Sequence, residues 1–245
     1  MQSILVYHTI SAHAEPLPGD VDIAPERFEE HLDWLSRRRR LVSLDETLGP
    51  QRKPFVAVTF DDGYRDNLTI ALPLLEKYQV PMTLFVTAGF LGKEGFLSSD
   101  ELLELSRHPL ITIGAHGLWH RHFNQLSSEE ARFELAESRR LLEAVTARKV
   151  DLLAWPYGEC NSGLEHLSAA CGYRASWSVW KGTNSNHSRW RVPLGRNDDL
   201  LRLIIKSSGF YALTKARWHR FKQKSASQKR CSDELALEGQ PQVTD

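Results

Sequence analysis

Residues 56–64 read Val-Ala-Val-Thr-Phe-Asp-Asp-Gly-Tyr, so an apolar run of the β-strand type ends there in two adjacent carboxylates and a glycine. If the run is a buried strand of a parallel sheet, Asp61 and Asp62 emerge at its carboxyl end, where α/β folds place their chemistry. Neighbouring side chains there can hold different roles, one on a metal ion and one free to move protons. Taken alone, the stretch fits a solvated Asp-Asp-Gly turn at least as well.

The strand of residues 56–60 is one of several short apolar runs that alternate with helical patterns. Strands are predicted at residues 4–7, 41–44, 82–86, 111–115, 152–155 and 173–179, and helices follow from Pro25, at 68–78, after the capping-box residues Ser98 and Ser127, and at 161–170. Repeated strand and helix alternation predicts an α/β fold built on a parallel sheet or barrel. No domain boundary is visible before about Ser207.

The composition is that of an ordinary globular protein, and 245 residues suffice for one large α/β domain or two small ones. Lysine plus arginine equals aspartate plus glutamate at 31 each, so net charge favours no nucleic acid partner. The 3 cysteines show no Cys-x-x-Cys spacing and predict no disulfide framework. The first residues lack a signal-peptide pattern and no segment is apolar enough to span a bilayer, so we expect a cytoplasmic location.

A second cluster follows the predicted strand at residues 111–115. Residues 116–122 read His-Gly-Leu-Trp-His-Arg-His, which places His116 and His120 four residues apart at a strand-to-loop edge. Imidazole nitrogens are good zinc ligands, and a catalytic zinc site needs about three protein ligands with one position left open. Two histidines and one carboxylate from Asp61 and Asp62 would supply that set. His122 is a further candidate, ranked below the other two.

A third cluster, Pro156-Tyr157-Gly158, follows the predicted strand at residues 152–155. Proline and glycine would hold a turn in which the Tyr157 backbone N–H points into the pocket as an oxyanion donor. An ordinary surface turn is the alternative. Trp177, Trp180 and Trp190 are candidate sugar-stacking platforms, although tryptophans are as often partly buried core residues.

Together these motifs resemble those of the polysaccharide deacetylase family, the carbohydrate esterase group that contains the nodulation-type chitooligosaccharide deacetylases. Thr59 to Gly63, His116 with His120, and Pro156 to Gly158 are similar to its first three motifs in order, and Tyr7-His8 resembles the exopolysaccharide deacetylase branch. The resemblance implies a distorted (β/α) barrel of about seven strands. It also implies one divalent metal ion of the zinc type and hydrolysis of acetyl groups on sugars.

Carried over by motif, the resemblance makes Asp61 the general base, Asp62, His116 and His120 the metal ligands, and Tyr157 the oxyanion donor. Pro156, Tyr157 and Trp180 would contact the substrate. Two features of the family pattern have no direct counterpart. The arginine that usually packs on the base is absent from the third motif, and Arg191 could supply it from a later strand. The late histidine that protonates the leaving amine is missing, and His187, His8 and His219 are the candidates.

We expect residues 1–207 to form the deacetylase-like barrel. Residues 208–230, whose charges are all basic, are expected to form an amphipathic helix that either contacts a membrane surface or docks on the barrel, and residues 231–245 to form a disordered acidic tail. The predicted function is a cytoplasmic metal-dependent deacetylase of surface polysaccharide assembly. Its partner would be a nucleotide-linked, lipid-linked or oligosaccharide acetylated sugar. A catalytically silent carbohydrate-binding relative and an amidase for a non-sugar amide are the alternatives.

Overall fold

The computed structural model describes residues 2–11, 21–179, 183–211 and 214–215. Its strands are β1 Gln2–Tyr7, β2 Thr9–Ile10, β3 Asp22–Ile23, β4 Phe55–Phe60, β5 Met82–Val86, β6 Ile111–Ala115, β7 Leu152–Ala154, β8 Ala175–Ser178, β9 Arg189–Trp190 and β10 Val192–Pro193. β2 and β3 pair only with each other, and the other strands form one 8-stranded sheet whose pairs are all parallel.

The sheet is nearly closed into a barrel by one short stretch of chain. Its strand order is β10-β1-β4-β5-β6-β7-β8-β9, so β9 and β10 occupy its two edges. These two strands are separated only by Arg191, and they pair with β8 on one side and with β1 on the other. If β9 and β10 are counted as one interrupted strand, the sheet has seven strands. It is then the distorted (β/α) barrel that the sequence predicted.

The helices cover the barrel and begin where the sequence signals indicate. They are α1 Pro25–Arg38, α2 Leu72–Tyr78, α3 Ser99–Arg107, α4 Ser128–Thr146, α5 Ser162–Ala170 and α6 Leu200–Ser207. Both predicted capping boxes are formed, by Ser98 with Glu101 and by Ser127 with Glu130. A π-helical turn precedes α2, whose first turn holds Pro73, so that helical segment restarts at the proline as expected.

Two layers of apolar side chains alternate along the strands. The larger one packs the outer face of the sheet against the helices. The smaller one contains no residue of α1 to α6 and fills the barrel, with Phe85 and Trp177 as its largest members. Trp177 is 0% exposed, so of the two alternatives it is a buried core residue and not a sugar platform. A Cβ at Gly114 would lie 2.5 Å from the Phe85 ring, which explains the glycine in β6.

Some predictions need correction, and others fall outside the described residues. Residues 41–44 form no strand, because only Leu41 makes an isolated bridge, to Val56. Trp180, His219, the tail 231–245 and most of the predicted basic helix 208–230 lie outside the described residues. In the part that is described, no helix has the length and apolar character needed to cross a membrane.

Candidate metal centre and active site

The carboxyl ends of neighbouring strands bring the predicted site residues together. Asp61 and Asp62 follow β4, His116 follows β6, and the turn Pro156–Gly158 follows β7. His8 follows β1, the strand beside β4, and the Asp61 N–H donates to the Tyr7 carbonyl at 3.0 Å. Parallel pairing therefore gathers residues that lie far apart in the sequence at one rim.

Asp62, His116 and His120 present three ligand atoms to one point. The distance from Asp62 Oδ1 is 3.5 Å to His116 Nε2 and 3.3 Å to His120 Nε2, and the ligand atoms of the three residues all lie within 4.8 Å of one another. Asp62 Oδ1 is buried and has no hydrogen-bond partner in the described part of the chain. A buried carboxylate oxygen facing two imidazole nitrogens fits a divalent cation, which would satisfy all three donors.

A hydrogen bond at the second ring nitrogen of His116, and burial of both histidines, prepare the imidazoles to bind a metal ion. His116 Nδ1 lies 2.8 Å from the Ala154 carbonyl, and donation of the Nδ1 proton to this oxygen leaves the Nε2 lone pair directed at the site. Burial lowers the pKa of His116 to about 3, although the Asp61 carboxylate raises it, so the ring is neutral at pH 7. Burial also lowers the pKa of His120.

The pKa values of Asp61 and Asp62 are shifted in opposite directions. Burial and then the negative charge of Asp61 raise the pKa of Asp62 to about 7. For Asp61, burial also acts upward, but the Arg191 guanidinium and His116 outweigh it and lower the pKa to about 2. Asp61 is therefore the fully ionised member of the pair at pH 7, whereas a bound cation would favour the ionised form of Asp62.

Arg191 contacts the predicted base directly. Its Nη1 and Nη2 each donate to one oxygen of Asp61 at 2.7 Å, and Nη1 also donates to Thr59 Oγ1 at 3.1 Å. Both partners are buried, and the guanidinium lies 5.1 Å from the centre of the Phe85 ring inside the barrel. The closing stretch between β9 and β10 thus supplies the cation that the third motif lacks.

The turn after β7 holds Tyr157 in the left-handed region, with φ 56°. The N–H groups of Gly158 and Glu159 donate to the carbonyls of Trp155 and Pro156, whereas no partner of the Tyr157 N–H is found among the residues described. Pro156 is buried, and the half-exposed Tyr157 ring stacks on His122 at 3.7 Å and meets His120 edge-on at 4.5 Å.

Three of the six non-glycine residues with positive φ in the described part of the chain lie at this rim. Asp62, His120 and Tyr157 have φ values of 72°, 52° and 56°, although none is glycine. Residues held in the left-handed region cost free energy and persist where the surrounding structure fixes them, which is common at functional sites. The strain here falls on two metal-ligand candidates and on the predicted oxyanion donor.

His8 and His187, two candidates for the general acid, lie in different parts of the structure. The charges of Asp61, Arg191 and His120 all act on His8, whose pKa burial lowers to about 4 and whose buried Nδ1 has no partner in the described part of the chain. His187 instead contacts Ser168 of α5, with its Nδ1 3.0 Å from Ser168 Oγ. The structure therefore brings His8, and not His187, to the rim.

Two residues near the ligands have no assigned role in the sequence interpretation. Trp119 stands between the ligands His116 and His120 and is 50% exposed. Glu134 of α4 is 1% exposed and accepts hydrogen bonds from the loop that carries His120. Trp119 lies within the histidine motif of residues 116–122, so the sequence could have indicated it. No spacing rule links Glu134 to that loop.

The geometry defines a (β/α)-barrel protein with a candidate three-ligand metal site at the carboxyl ends of its strands. The family model described as polysaccharide deacetylase matches residues 48–176, more than half of the chain. This chain belongs to the polysaccharide deacetylase family, as the motifs predicted.

Two named proteins are similar in sequence to this chain. YxkH of Bacillus subtilis (strain 168) is 27% identical over 190 residues, which cover 74% of this chain and 66% of YxkH. The poly-beta-1,6-N-acetyl-D-glucosamine N-deacetylase of Staphylococcus aureus (strain N315) is 27% identical over 225 residues, covering 82% of this chain and 73% of that protein. The family thus includes N-deacetylases of exopolysaccharides.

Solved structures share the fold. Streptococcus pyogenes deacetylase PplD, in complex with acetate, superposes with a TM-score of 0.74 and 22% identity over 84% of this chain and 97% of PplD. IcaB from Ammonifex degensii gives a TM-score of 0.69 and 22% identity over 84% of this chain and 96% of IcaB. At these identities the likeness establishes the barrel architecture.

Proposed function

We propose that this protein is a metal-dependent hydrolase that removes an N-acetyl group from a sugar during surface polysaccharide or lipopolysaccharide biosynthesis. The observation that carries the proposal is the convergence of Asp62, His116 and His120 beside an ionised Asp61. We further propose Zn²⁺ as the ion, since two imidazoles and one carboxylate suit it, although such ligands also accept other divalent ions. When bound, the ion would polarise the acetyl carbonyl and the attacking water.

The chain's own residues divide the remaining chemistry. Asp61 accepts the proton of the attacking water, and Arg191 holds that carboxylate ionised and oriented. The Tyr157 N–H donates to the oxygen that becomes negative as the carbonyl is attacked. This N–H belongs to the backbone of a turn that holds Tyr157 at a left-handed φ of 56°.

The leaving nitrogen must be protonated before it departs as an amine, and we assign this role to His8 in preference to His187. With a pKa lowered to about 4, His8 is neutral at pH 7, so it would deliver a proton only after receiving one. Asp61, on the neighbouring strand, is the group that takes a proton from water. His187 instead contacts Ser168 of α5, and the carboxylate whose charge acts on it is Glu165 rather than Asp61.

An acetylated glucosamine polymer or oligosaccharide is the proposed substrate class, because the Staphylococcus aureus relative is named for poly-beta-1,6-N-acetyl-D-glucosamine. The half-exposed rings of Trp119 and Tyr157 beside the ligands suit a sugar face. Nucleotide-linked and lipid-linked sugars present the same acetamido group. A cytoplasmic location stays part of the proposal.

Contact with an anionic membrane surface is proposed for the end of the barrel chain. Leu201 and Ile205 of α6 and the nearby Phe210 are 64%, 50% and 60% exposed. They precede residues 215–230, whose charged side chains are all basic. An apolar row beside basic charge suits anionic lipid headgroups. Flotation with phosphatidylglycerol vesicles tests this, and equal binding of the wild type and a Leu201→Ser, Ile205→Ser variant would count against it.

The deacetylase proposal is tested with the Asp61→Asn variant. It should retain the bound ion, because Asp61 is not one of the three ligands, and lose acetate release by about 100-fold or more. Full activity in this variant would overturn the assignment of the base. A wild-type protein that binds the ion but turns over no acetylated sugar would support the catalytically silent relative, and turnover of simple amides alone would support a non-sugar amidase.

A further inference from the structure

The loop that joins the ligands His116 and His120 is held from one side by a buried carboxylate. Glu134 Oε2 accepts hydrogen bonds from the Leu118 N–H at 2.9 Å and from the Trp119 N–H at 3.0 Å. Glu134 is 1% exposed on the inner face of α4. A buried carboxylate is costly unless it is paired or hydrogen-bonded, and here two backbone N–H groups provide that compensation.

The opposite side of the loop is held by backbone contacts. The Ala88 N–H donates to the Gly117 carbonyl at 3.1 Å, and the Gly89 N–H donates to the Leu118 carbonyl at 2.8 Å. A Cβ at Gly89 would lie 2.5 Å from Trp119 Cε3, so the tryptophan ring lies directly on this glycine. The loop is therefore held in its arrangement from two sides, by Glu134 and by the segment after β5.

That arrangement determines where His120 stands. His120 directly follows the two residues bound by Glu134 and has the left-handed φ of 52°, a conformation that is uncommon in residues other than glycine. His116, in contrast, is tied to the sheet by its own N–H, which donates to the Val86 carbonyl at 2.9 Å. Loss of the Glu134 contacts would release His120 while leaving Asp62 and His116 in place.

We infer that Glu134 is a positioning residue for the metal centre, acting through the Leu118 and Trp119 N–H groups to fix His120 as a ligand. The inference rests on the proposed metal site. Glu134 belongs neither to the three sequence motifs nor to the three proposed ligands. Groups behind metal ligands commonly change metal affinity by about 10-fold to 100-fold when they are removed.

Zinc affinity of the purified full-length chain, measured by competition with a chromophoric chelator, tests the inference. Glu134→Leu should weaken zinc binding by about 10-fold to 100-fold, whereas Glu134→Gln, whose amide oxygen can accept the same two bonds, should stay within about 3-fold of the wild type. Glu137→Gln on the same helix, where Glu137 pairs with Arg140 at the surface, is the matched control and should have no effect. Unchanged affinity in Glu134→Leu would overturn the inference.

A double-mutant cycle separates positioning from general loss of structure. In a His120→Ala background, Glu134→Leu should cause no further loss of zinc affinity, because its effect runs through His120. An equal loss in both backgrounds would contradict the inference. If Glu134→Leu does not fold, Glu134→Asp keeps the charge but withdraws the carboxylate, and unchanged affinity there would equally overturn it. A wild type without zinc affinity would instead refute the metal site itself.

Discussion

Arg191 and Asp61 form a two-pronged ion pair at the point where the barrel closes, with both N–O distances at 2.7 Å. Asp61 ends β4, and Arg191 lies between the two edge strands of the sheet. Both side chains are buried, at 0% and 4% exposure. The same contact therefore joins the closure of the fold to the ionisation of the proposed base.

Breaking this pair from one side should destabilise the protein. Arg191→Met leaves the Asp61 carboxylate buried without its cation, and we expect the free energy of unfolding to fall by about 3–5 kcal/mol. Urea denaturation of the two proteins measures it. Adding Asp61→Asn should recover part of the loss, because the buried charge is then gone. A loss below about 1 kcal/mol in the single variant would show that the pair is energetically minor.

The oxyanion donor can be displaced through its neighbour. A Cβ at Gly158 would lie 2.5 Å from the Val179 nitrogen, and Gly158 has φ 61°, so Gly158→Ala must shift the turn that carries Tyr157. We expect kcat to fall by about 100-fold with KM changed much less. Gly49→Ala, where the nearest atom to the new Cβ is 3.8 Å away, is the control. A normal kcat in Gly158→Ala would argue against the Tyr157 N–H as donor.

Replacement of the two histidines should separate the candidates for the general acid. His8→Ala is expected to lower kcat by about 100-fold or more, and His187→Ala to leave it within about 3-fold. The physical reason is that His8 shares the rim with Asp61, whereas His187 contacts Ser168. Steady-state acetate release on one substrate compares them. The reverse ranking would return the role to His187.

The stability of the fold should fall in mild acid through His31 of α1. This histidine is 0% exposed, its Nδ1 lies 3.1 Å from the Tyr7 hydroxyl, and burial lowers its pKa to about 4. The unfolded chain protonates His31 near its ordinary pKa of about 6.5, so its stabilising contribution is complete above that pH and is lost as the pH falls toward about 4.

The contribution of His31 is isolated by difference, since His8 and His116 titrate in the same direction. Between about pH 7.5 and pH 5, the wild type should lose about 2 kcal/mol more unfolding free energy than His31→Gln, by the proton linkage of a single site. Chemical denaturation at the two pH values measures the difference. Equal losses in the two proteins would mean that His31 is not held neutral.

The sequence predicted those parts of the site that lie where strands end. Asp61, Asp62, His116 and the turn at Tyr157 each follow an apolar run, and parallel strands bring their carboxyl ends to one rim. The predictions that failed concerned residues whose structure depends on tertiary contacts. Residues 41–44 have a strand's composition, yet they form only an isolated bridge from Leu41 to Val56 and a hydrogen bond from the Val42 N–H to the Val56 carbonyl, because register and pairing are not encoded in a four-residue run.

Long-range contacts account for what the sequence could not predict. Arg191 was a candidate cation from its place in a late strand, but its contact with Asp61 depends on how the barrel closes. Glu134 looks like one more acidic residue on a long helix until α4 is placed against the loop of His120. Trp177 is of a residue type that often stacks on sugars, yet its side chain lies inside the barrel.

Acetate release from an N-acetylated β-1,6-glucosamine oligomer by the full-length protein tests the central claim most directly. It is measured before chelation, after removal of metal, and after zinc is restored. We predict that chelation abolishes release and that zinc restores it in the wild type but not in His116→Ala, whose ligand set is incomplete. Release that persists at the same rate after complete removal of metal would contradict the account.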